Sequence, residues 1–211
     1  MTDLAHTAST PTPLARAYDT AAATWQEAIS RLGYPAAYRA LLAECPPDLR
    51  GHIADVGTGS GAFALALIES TGVPERLTLI DPSRAMLDQA AGRLRRAGAV
   101  PEVLCTGIGG TAPQEGSVDT LLCAHVVEHL DDPDAALGWL LSRLRPGGRL
   151  YLAASRPHWC TALLRWKWGH RAYRPDRMTG MLYAAGAGHV GCVPFPAGPP
   201  ARTSMGYIAT R

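Results

Sequence analysis

The chain has 211 residues, of which 47% are hydrophobic and 18% charged, a balance that suits one α/β domain and excludes a disordered chain. Its formal net charge of +2 is too small to favour a nucleic-acid partner or an anionic membrane surface. The five cysteines form no CxxC pair and the N-terminus lacks a signal-peptide pattern, so we expect a cytoplasmic protein with reduced thiols.

The first 50 residues predict a tail followed by helices. Residues 1–13 are rich in Thr and Pro, which predicts a flexible tail. Residues 14–50 predict two helical stretches that break near "LGYP", and we expect them to form a helical cap or lid. Tyr18 and Trp25 in this region are candidates for substrate binding, with simple docking of the helices as the alternative.

Strand and helix patterns alternate between residues 51 and 155. Apolar runs such as "HIADV" and "RLTLI" predict strands, and "SRAMLDQAAGRLRRAG" predicts a helix with one apolar face. This alternation is typical of a Rossmann-like, doubly wound α/β fold with a mostly parallel sheet. Residues 156–211 predict a substrate-facing segment and then two strands, which would add an antiparallel hairpin at the sheet edge. We expect residues 14–211 to form a single domain, with an exposed His52 at the start of its first strand.

A glycine-rich turn follows that first strand. Gly57, Gly59 and Gly61 alternate in "DVGTGSGAF", and a ligand can approach such backbone closely because no Cβ stands in the way. Open α/β sheets bind ligands beyond the carboxyl ends of their strands. Asp81 closes the second predicted strand, where a carboxylate can accept both hydroxyls of a ribose. These features predict a cofactor of the adenosine type.

A dinucleotide is the alternative ligand, because the turn also satisfies the relaxed pattern G-x-G-x-x-A. Asp55 argues against it: a carboxylate beside a pyrophosphate would repel it, whereas an ammonium or sulfonium group would be attracted. The simpler explanations are an ordinary tight turn, a helix cap at Asp81 and a solvent-exposed acid at Asp55.

The chain resembles the class I S-adenosylmethionine-dependent methyltransferases of the small bacterial type that act on small molecules. The motifs that carry this resemblance are "ADVGTGSGAFAL", "LTLIDPSRAML", "SVDTLLCAHVVEHLDDP" and "LRPGGRLYLA", in that order. The resemblance implies S-adenosyl-L-methionine as cofactor and S-adenosyl-L-homocysteine as product. It implies methyl transfer to an O, N or C atom of a small molecule in bacterial specialised or cofactor metabolism.

The resemblance also implies roles for individual residues. The first acid and the backbone of the glycine turn would hold the methionine part of the cofactor, and the second acid would bind the ribose. The next strand ends would contribute backbone to the adenine ring and to the methionine amino group. Many relatives have an Asp after the third strand where this chain has Gly107, so backbone or water would hold the adenine amino group instead. The implied cofactor-binding residues are Asp55, Gly57, Thr58, Gly59, Gly61, Asp81, Pro82, Met86, Gly107, Ile108, Cys123 and Ala124.

Two histidines are candidates for a catalytic general base. His125 follows the fourth predicted strand and His158 follows the fifth, so both are expected at the carboxyl edge of the sheet. The simpler alternative is that neither histidine has a catalytic role. "HVVEH" also matches a zinc-peptidase pattern, but the preceding strand and the following "DDP" break favour no metal site.

The stretch after the fifth predicted strand supplies further substrate candidates, namely Trp159, Trp166 and His170. Aromatic faces there can stack on a flat substrate or contact a cation. We expect a small-molecule substrate, no nucleic-acid or membrane partner, and a monomer or homodimer. The alternatives are an enzyme that uses S-adenosylmethionine for a cyclisation or elimination without methyl transfer, and a non-enzymatic scaffold.

Overall fold

The computed structural model of the chain describes residues 31–158 and 171–211. Within them, seven strands form one sheet in the order β3-β2-β1-β4-β5-β7-β6. Strands β1 to β5 pair in parallel, whereas β7 runs antiparallel to both β5 and β6. The strands are β1 (His52–Val56), β2 (Arg76–Ile80), β3 (Glu102–Leu104), β4 (Val118–Ala124), β5 (Leu144–Ser155), β6 (His189–Val193) and β7 (Ser204–Thr210).

The helices cover both faces of this sheet. Side chains of residues flanking two of them cap the first turn: Ser83 accepts from the Met86 N–H, and Asp132 accepts from the Ala135 N–H. The described helices are α1 (Tyr34–Glu44), α2 (Ala62–Thr71), α3 (Arg84–Arg96), α4 (Pro133–Arg143), α5 (Pro175–Ala184) and α6 (Gly198–Thr203), with a 3₁₀ turn at Val127–His129. None of the helices in the described ranges is long and apolar enough to cross a bilayer.

Alternate residues of the central strands feed two separate cores. On β5, Leu150 and Leu152 face a cluster that α4 and α5 complete, while Tyr151 and Ala153 face a cluster that α1, α2 and α3 complete. Side chains of a strand point alternately to opposite faces, so a sheet covered on both sides needs apolar residues at nearly every position. The predicted Rossmann-like, doubly wound fold is therefore confirmed.

The predicted antiparallel C-terminal edge is also confirmed, with β7 inserted between β5 and β6. The Pro/Gly-rich connection between these two strands contains α6. Its prolines occupy the first turn of the helix, where no backbone N–H is needed for a hydrogen bond.

The described part of the predicted helical cap is α1, and it packs into the core. Gly33, with φ of 89°, marks the predicted break before it. Tyr38 stacks on Phe63 of α2 at a centroid distance of 4.6 Å. A Cβ on Gly206 of β7 would lie 2.9 Å from the Leu41 side chain, so glycine lets α1 approach the sheet closely. Among the predicted substrate residues, Tyr18, Trp25, Trp159, Trp166 and His170 lie outside the described residues.

The expectation of an exposed His52 is wrong, because its side chain is buried at the amino end of β1. Its Nε2 lies 2.8 Å from the Thr78 hydroxyl and its Nδ1 lies 3.2 Å from the Ser117 carbonyl oxygen. Its backbone N–H donates to the Asp119 carboxylate at 2.7 Å. β1 lies in the middle of the sheet, so neighbouring strands and loops cover even its first residue.

Candidate active site

The carboxyl ends of β1 and β4 lie side by side near the middle of the sheet. Val56 of β1 pairs with Cys123 of β4, so the glycine turn after β1 and the segment after β4 emerge at the same edge. Strand order reverses here, since β2 follows β1 on one side and β4 lies on the other. Such a crevice is where open α/β sheets bind ligands.

The three glycines of the turn have positive φ angles of 67°, 49° and 81°, in chain order. A Cβ on Gly57 would lie 2.2 Å from Val126, and one on Gly61 would lie 3.0 Å from Ala90. A Cβ on Gly59 would have no neighbouring atom within 4 Å. The outer glycines are therefore required for packing, whereas the middle one exposes its backbone to open space that a ligand can enter.

Asp81 joins this turn to the end of β2. One of its carboxylate oxygens accepts from the Gly59 N–H at 2.9 Å, and the other accepts from the Ser83 N–H at 2.9 Å. The carboxylate thus lies directly beside the exposed backbone of Gly59. A ribose at this position would find the acid that the sequence predicts for its hydroxyls.

Asp55 lies beneath the turn, and its side chain is only 1% exposed. It accepts from the Thr58 hydroxyl at 2.8 Å and from the Ala64 N–H of α2 at 3.3 Å. Burial raises its pKa to about 7, although the two hydrogen bonds oppose the shift and the Asp81 charge adds to it. The carboxylate therefore fixes the turn against α2 and carries only part of a negative charge at neutral pH.

The residues predicted around the adenine ring lie on the β2 side of the crevice. Pro82 is exposed, Met86 is buried at the start of α3, and Ile108 is half-buried. A Cβ on Gly107 would have no neighbour within 4 Å, so this position is open. The Cys105 thiol lies 3.7 Å from the carbonyl oxygen of Pro82 and links the segment after β3 to this side.

His125 follows directly after β4 and has an unusual backbone. Its φ of 56° makes it the one non-glycine residue with a positive φ in the described part of the chain. That conformation costs roughly 1–2 kcal/mol for a residue with a Cβ. Its N–H donates to the Ala153 carbonyl oxygen of β5 at 2.8 Å, which holds the strained residue in place.

Three neighbours hold the ring of His125. Its Nδ1 lies 3.1 Å from a carboxylate oxygen of Glu128 and 3.3 Å from the Ser155 hydroxyl. The Tyr34 ring packs edge-on against it at a centroid distance of 5.0 Å. Its Nε2 is buried and has no hydrogen-bond partner. The ring is thus fixed through one nitrogen, whereas the other has no hydrogen-bond partner.

Glu128 has a fully buried side chain in the 3₁₀ turn. Burial alone would raise its pKa, but the hydrogen bond and charge of His125 and the Ser155 N–H, which donates at 2.6 Å, lower it to about 2. Sequence reasoning missed Glu128, Ser155 and Tyr34 as parts of this site. Only Glu128 had a usable signal, since it follows the candidate base by three positions in a short turn.

The second candidate base, His158, is half-buried and lies three residues beyond the end of β5. The structure brings Glu128 rather than this residue to the ring of His125. The described ranges also contain no group of three His, Cys, Asp or Glu side chains that could hold a metal ion. In "HVVEH", the first histidine and the acid bond to each other.

Comparison with known families identifies the domain. Residues 54–150 match the model of a family described as a methyltransferase domain. Residues 54–150 are therefore a methyltransferase domain. The match runs from the strand before the glycine turn to β5, and it includes both acids and His125. The predicted family, its enzyme class and its cofactor, S-adenosylmethionine, are confirmed for this domain.

Curated relatives match about half of the chain. An uncharacterized protein of a Synechococcus species is 33% identical over 124 residues, which cover 58% of this chain and 30% of the relative. A ubiquinone biosynthesis O-methyltransferase of Xanthomonas euvesicatoria is 28% identical over 102 residues, which cover 48% of this chain and 41% of the relative. The chain thus spans less than half the length of these relatives.

Solved structures match over more of the chain. One is a chain of the complex between the Haloferax volcanii Trm112 methyltransferase activator and a methyltransferase, with a TM-score of 0.73, 20% identity, and 92% and 96% of the two chains covered. Another is a Thermotoga maritima methyltransferase described as a possible histamine N-methyltransferase, with a TM-score of 0.71, 18% identity, and 92% and 98% covered. These likenesses show that the methyltransferase fold extends beyond the matched domain.

Proposed function

We propose that the chain transfers the methyl group of S-adenosylmethionine to an O, N or C atom of a small molecule in bacterial specialised or cofactor metabolism. The carrying observation is the open space at Gly59, whose N–H bonds to the Asp81 carboxylate and whose turn lies beside the strained His125 segment. Residues 14–211 would act as one cytoplasmic domain, as a monomer or homodimer with no nucleic-acid or membrane partner.

The residues of the crevice fit this cofactor. The Asp81 carboxylate would accept from the ribose hydroxyls, and the turn from Gly57 to Gly61, fixed by Asp55 and Thr58, would hold the methionine part. Backbone at Cys123 or Ala124 would accept from its amino group. Pro82, Met86, Gly107 and Ile108 would surround the adenine ring.

When bound, the cofactor supplies a methyl group whose bond to the positively charged sulfur breaks, with its electron pair staying on sulfur. The chain must hold the acceptor in line with that bond, and such positioning supplies roughly 7–11 kcal/mol. His125 would remove the proton of the acceptor, since its Nε2 is buried without a partner at the carboxyl edge. His158 is the second candidate for this role.

Relatives named as ubiquinone biosynthesis O-methyltransferases support a small-molecule acceptor. In this chain the acceptor would approach past Tyr34, which packs on His125. The regions that hold Tyr18, Trp25, Trp159, Trp166 and His170 would cover it. This would place the substrate between the cofactor and the segment after β5.

Calorimetry with S-adenosylhomocysteine tests the cofactor site. Asp81→Asn should weaken binding at least tenfold, because a neutral amide replaces the carboxylate that the ribose needs. Asp88→Asn is the matched control, since its exposed carboxylate only pairs with Arg84 on α3. Absence of binding by the unaltered chain, or equal binding by all three, contradicts the proposal.

Mass spectrometry of co-purified small molecules incubated with S-adenosylmethionine tests the reaction. A product that gains one methyl group supports transfer. A product of unchanged mass supports a cyclisation instead, and a product that has lost a leaving group without gaining a methyl group supports an elimination.

A further inference from the structure

We propose that Glu128 is a positioning residue that keeps the imidazole proton of His125 on Nδ1, so that Nε2 is the atom that accepts a proton. The catalytic use of this arrangement rests on the proposed function. It narrows the substrate class to acceptors whose methylated atom carries an acidic hydrogen, such as a hydroxyl.

The first step concerns which ring nitrogen carries the proton. An ionised carboxylate can only accept hydrogen bonds. Glu128 is buried with one oxygen 2.6 Å from the Ser155 N–H and 3.1 Å from Nδ1 of His125. The imidazole must therefore donate from Nδ1, which makes Nε2 an acceptor in the neutral ring.

The second step concerns the direction of the free nitrogen. The backbone of His125 is pinned by its bond to Ala153, and the edge-on Tyr34 ring limits rotation of the imidazole. Nε2 is buried without a partner. A buried acceptor without a donor is uncommon in native proteins, so a hydrogen-bond donor from a ligand is its natural complement.

The third step concerns the proton balance of the reaction. As the acceptor oxygen forms its bond to the methyl carbon, its hydroxyl proton passes to Nε2, and the imidazolium later releases it to solvent. Glu128 supports the imidazolium through Nδ1, to which one of its carboxylate oxygens is bonded. An acceptor without a transferable proton would make no use of this arrangement.

Nitrogen NMR of the histidine rings tests the inference without an acceptor. In the neutral form of the ring, we expect His125 to carry its proton on Nδ1 in roughly tenfold or greater excess. The His125→Asn variant assigns the signal, because asparagine tolerates a positive φ. A wild-type ring protonated mainly on Nε2 overturns the proposal.

Glu128→Gln should shift the proton of His125 towards Nε2, because the amide no longer demands a donor. Glu69→Gln is the matched control, since it removes the same charge from an exposed pair with Arg39. An unchanged ring in Glu128→Gln also overturns the proposal. If that variant does not fold, the wild-type spectrum decides alone.

Calorimetry with S-adenosylhomocysteine separates this inference from the proposed function. Glu128→Gln should bind it within about threefold of the wild type, because no step of the argument places Glu128 on the cofactor. Failure of the unaltered chain to bind would contradict the proposed function and leave the tautomer result standing. A large loss confined to Glu128→Gln would contradict the positioning role.

Discussion

Two histidines at opposite edges of the same sheet, one buried and one half-buried, show how differently one residue type can be used. At the amino edge, both ring nitrogens of His52 have partners. At the carboxyl edge, His125 has a strained backbone, one partnered nitrogen and one without a partner. The ring of His52 therefore uses both nitrogens in structural hydrogen bonds, whereas the ring of His125 is held through Nδ1 and leaves Nε2 without a partner. The two edges therefore differ in the hydrogen-bonding capacity that the histidine ring leaves unused.

The largest expected effect comes from removing the open ring. His125→Asn should lower turnover about 10²- to 10⁴-fold, because the proton acceptor is lost while asparagine still tolerates the positive φ. Initial rates with the acceptor found by mass spectrometry measure this effect. Binding of S-adenosylhomocysteine should persist. Full turnover in the variant would show that His125, like His52, has no catalytic role.

The glycine turn allows a similar comparison, between Gly57, which is needed for packing, and Gly59, which faces open space. Gly57→Ala should destabilise the fold by about 2–4 kcal/mol, because its Cβ would collide with Val126 at a positive φ. Gly59→Ala should cost only about 1 kcal/mol in folding but weaken cofactor binding, since its Cβ would occupy the open space. Urea unfolding and calorimetry separate the two. Equal folding costs would show that the middle glycine is also a packing residue.

Replacing His52 should lower stability and leave turnover unchanged, which is the opposite of the effect expected for His125. His52→Ala removes one hydrogen bond of the Thr78 hydroxyl, which keeps its bond to Glu102, and one of the Ser117 carbonyl, and should cost about 1–3 kcal/mol. Turnover of the folded enzyme should stay unchanged. Urea unfolding and initial rates measure the two effects. A loss of turnover that exceeds the loss of folded protein would assign His52 a role beyond structure.

The smallest effect concerns pH at the carboxyl edge. Burial raises the pKa of Asp55 to about 7, so affinity for a cationic cofactor should rise roughly tenfold between about pH 6 and pH 8. Among the described residues, Asp81, Tyr38 and Cys123 interact electrostatically with Asp55, and none of these three brings a positive charge. Calorimetry with S-adenosylmethionine measures this rise, which should vanish in Asp55→Asn. An equal slope in both would assign the titration to another group.

The same group should affect stability with a definite sign. Its folded pKa lies above its unfolded value of about 3.9, so the folded state binds more protons between about pH 4 and pH 7. The free energy of unfolding should therefore fall as pH rises through that window. Urea unfolding across these pH values should show a shallower fall in Asp55→Asn.

Much of the fold could be predicted because it depends on local patterns. The apolar runs at β1 and β2 and the one-sided helix α3 needed only the residues of each segment. Helix α6 was not predicted, because a helix of six residues is too short to show a period. The burial of His52 was missed since it depends on Ser117 and Thr78, which come from distant segments.

The sequence by itself determined the alternating sheet, the glycine turn and the two acids at strand ends, because spacing along the chain places these features on neighbouring strand ends. Only the tertiary structure decided how the candidate base is used. Ser155 and Tyr34 reach His125 from other elements, and long-range contacts of this kind leave no periodic trace in the chain. The partners of a side chain, and the nitrogen left without one, depend on the packing of distant segments.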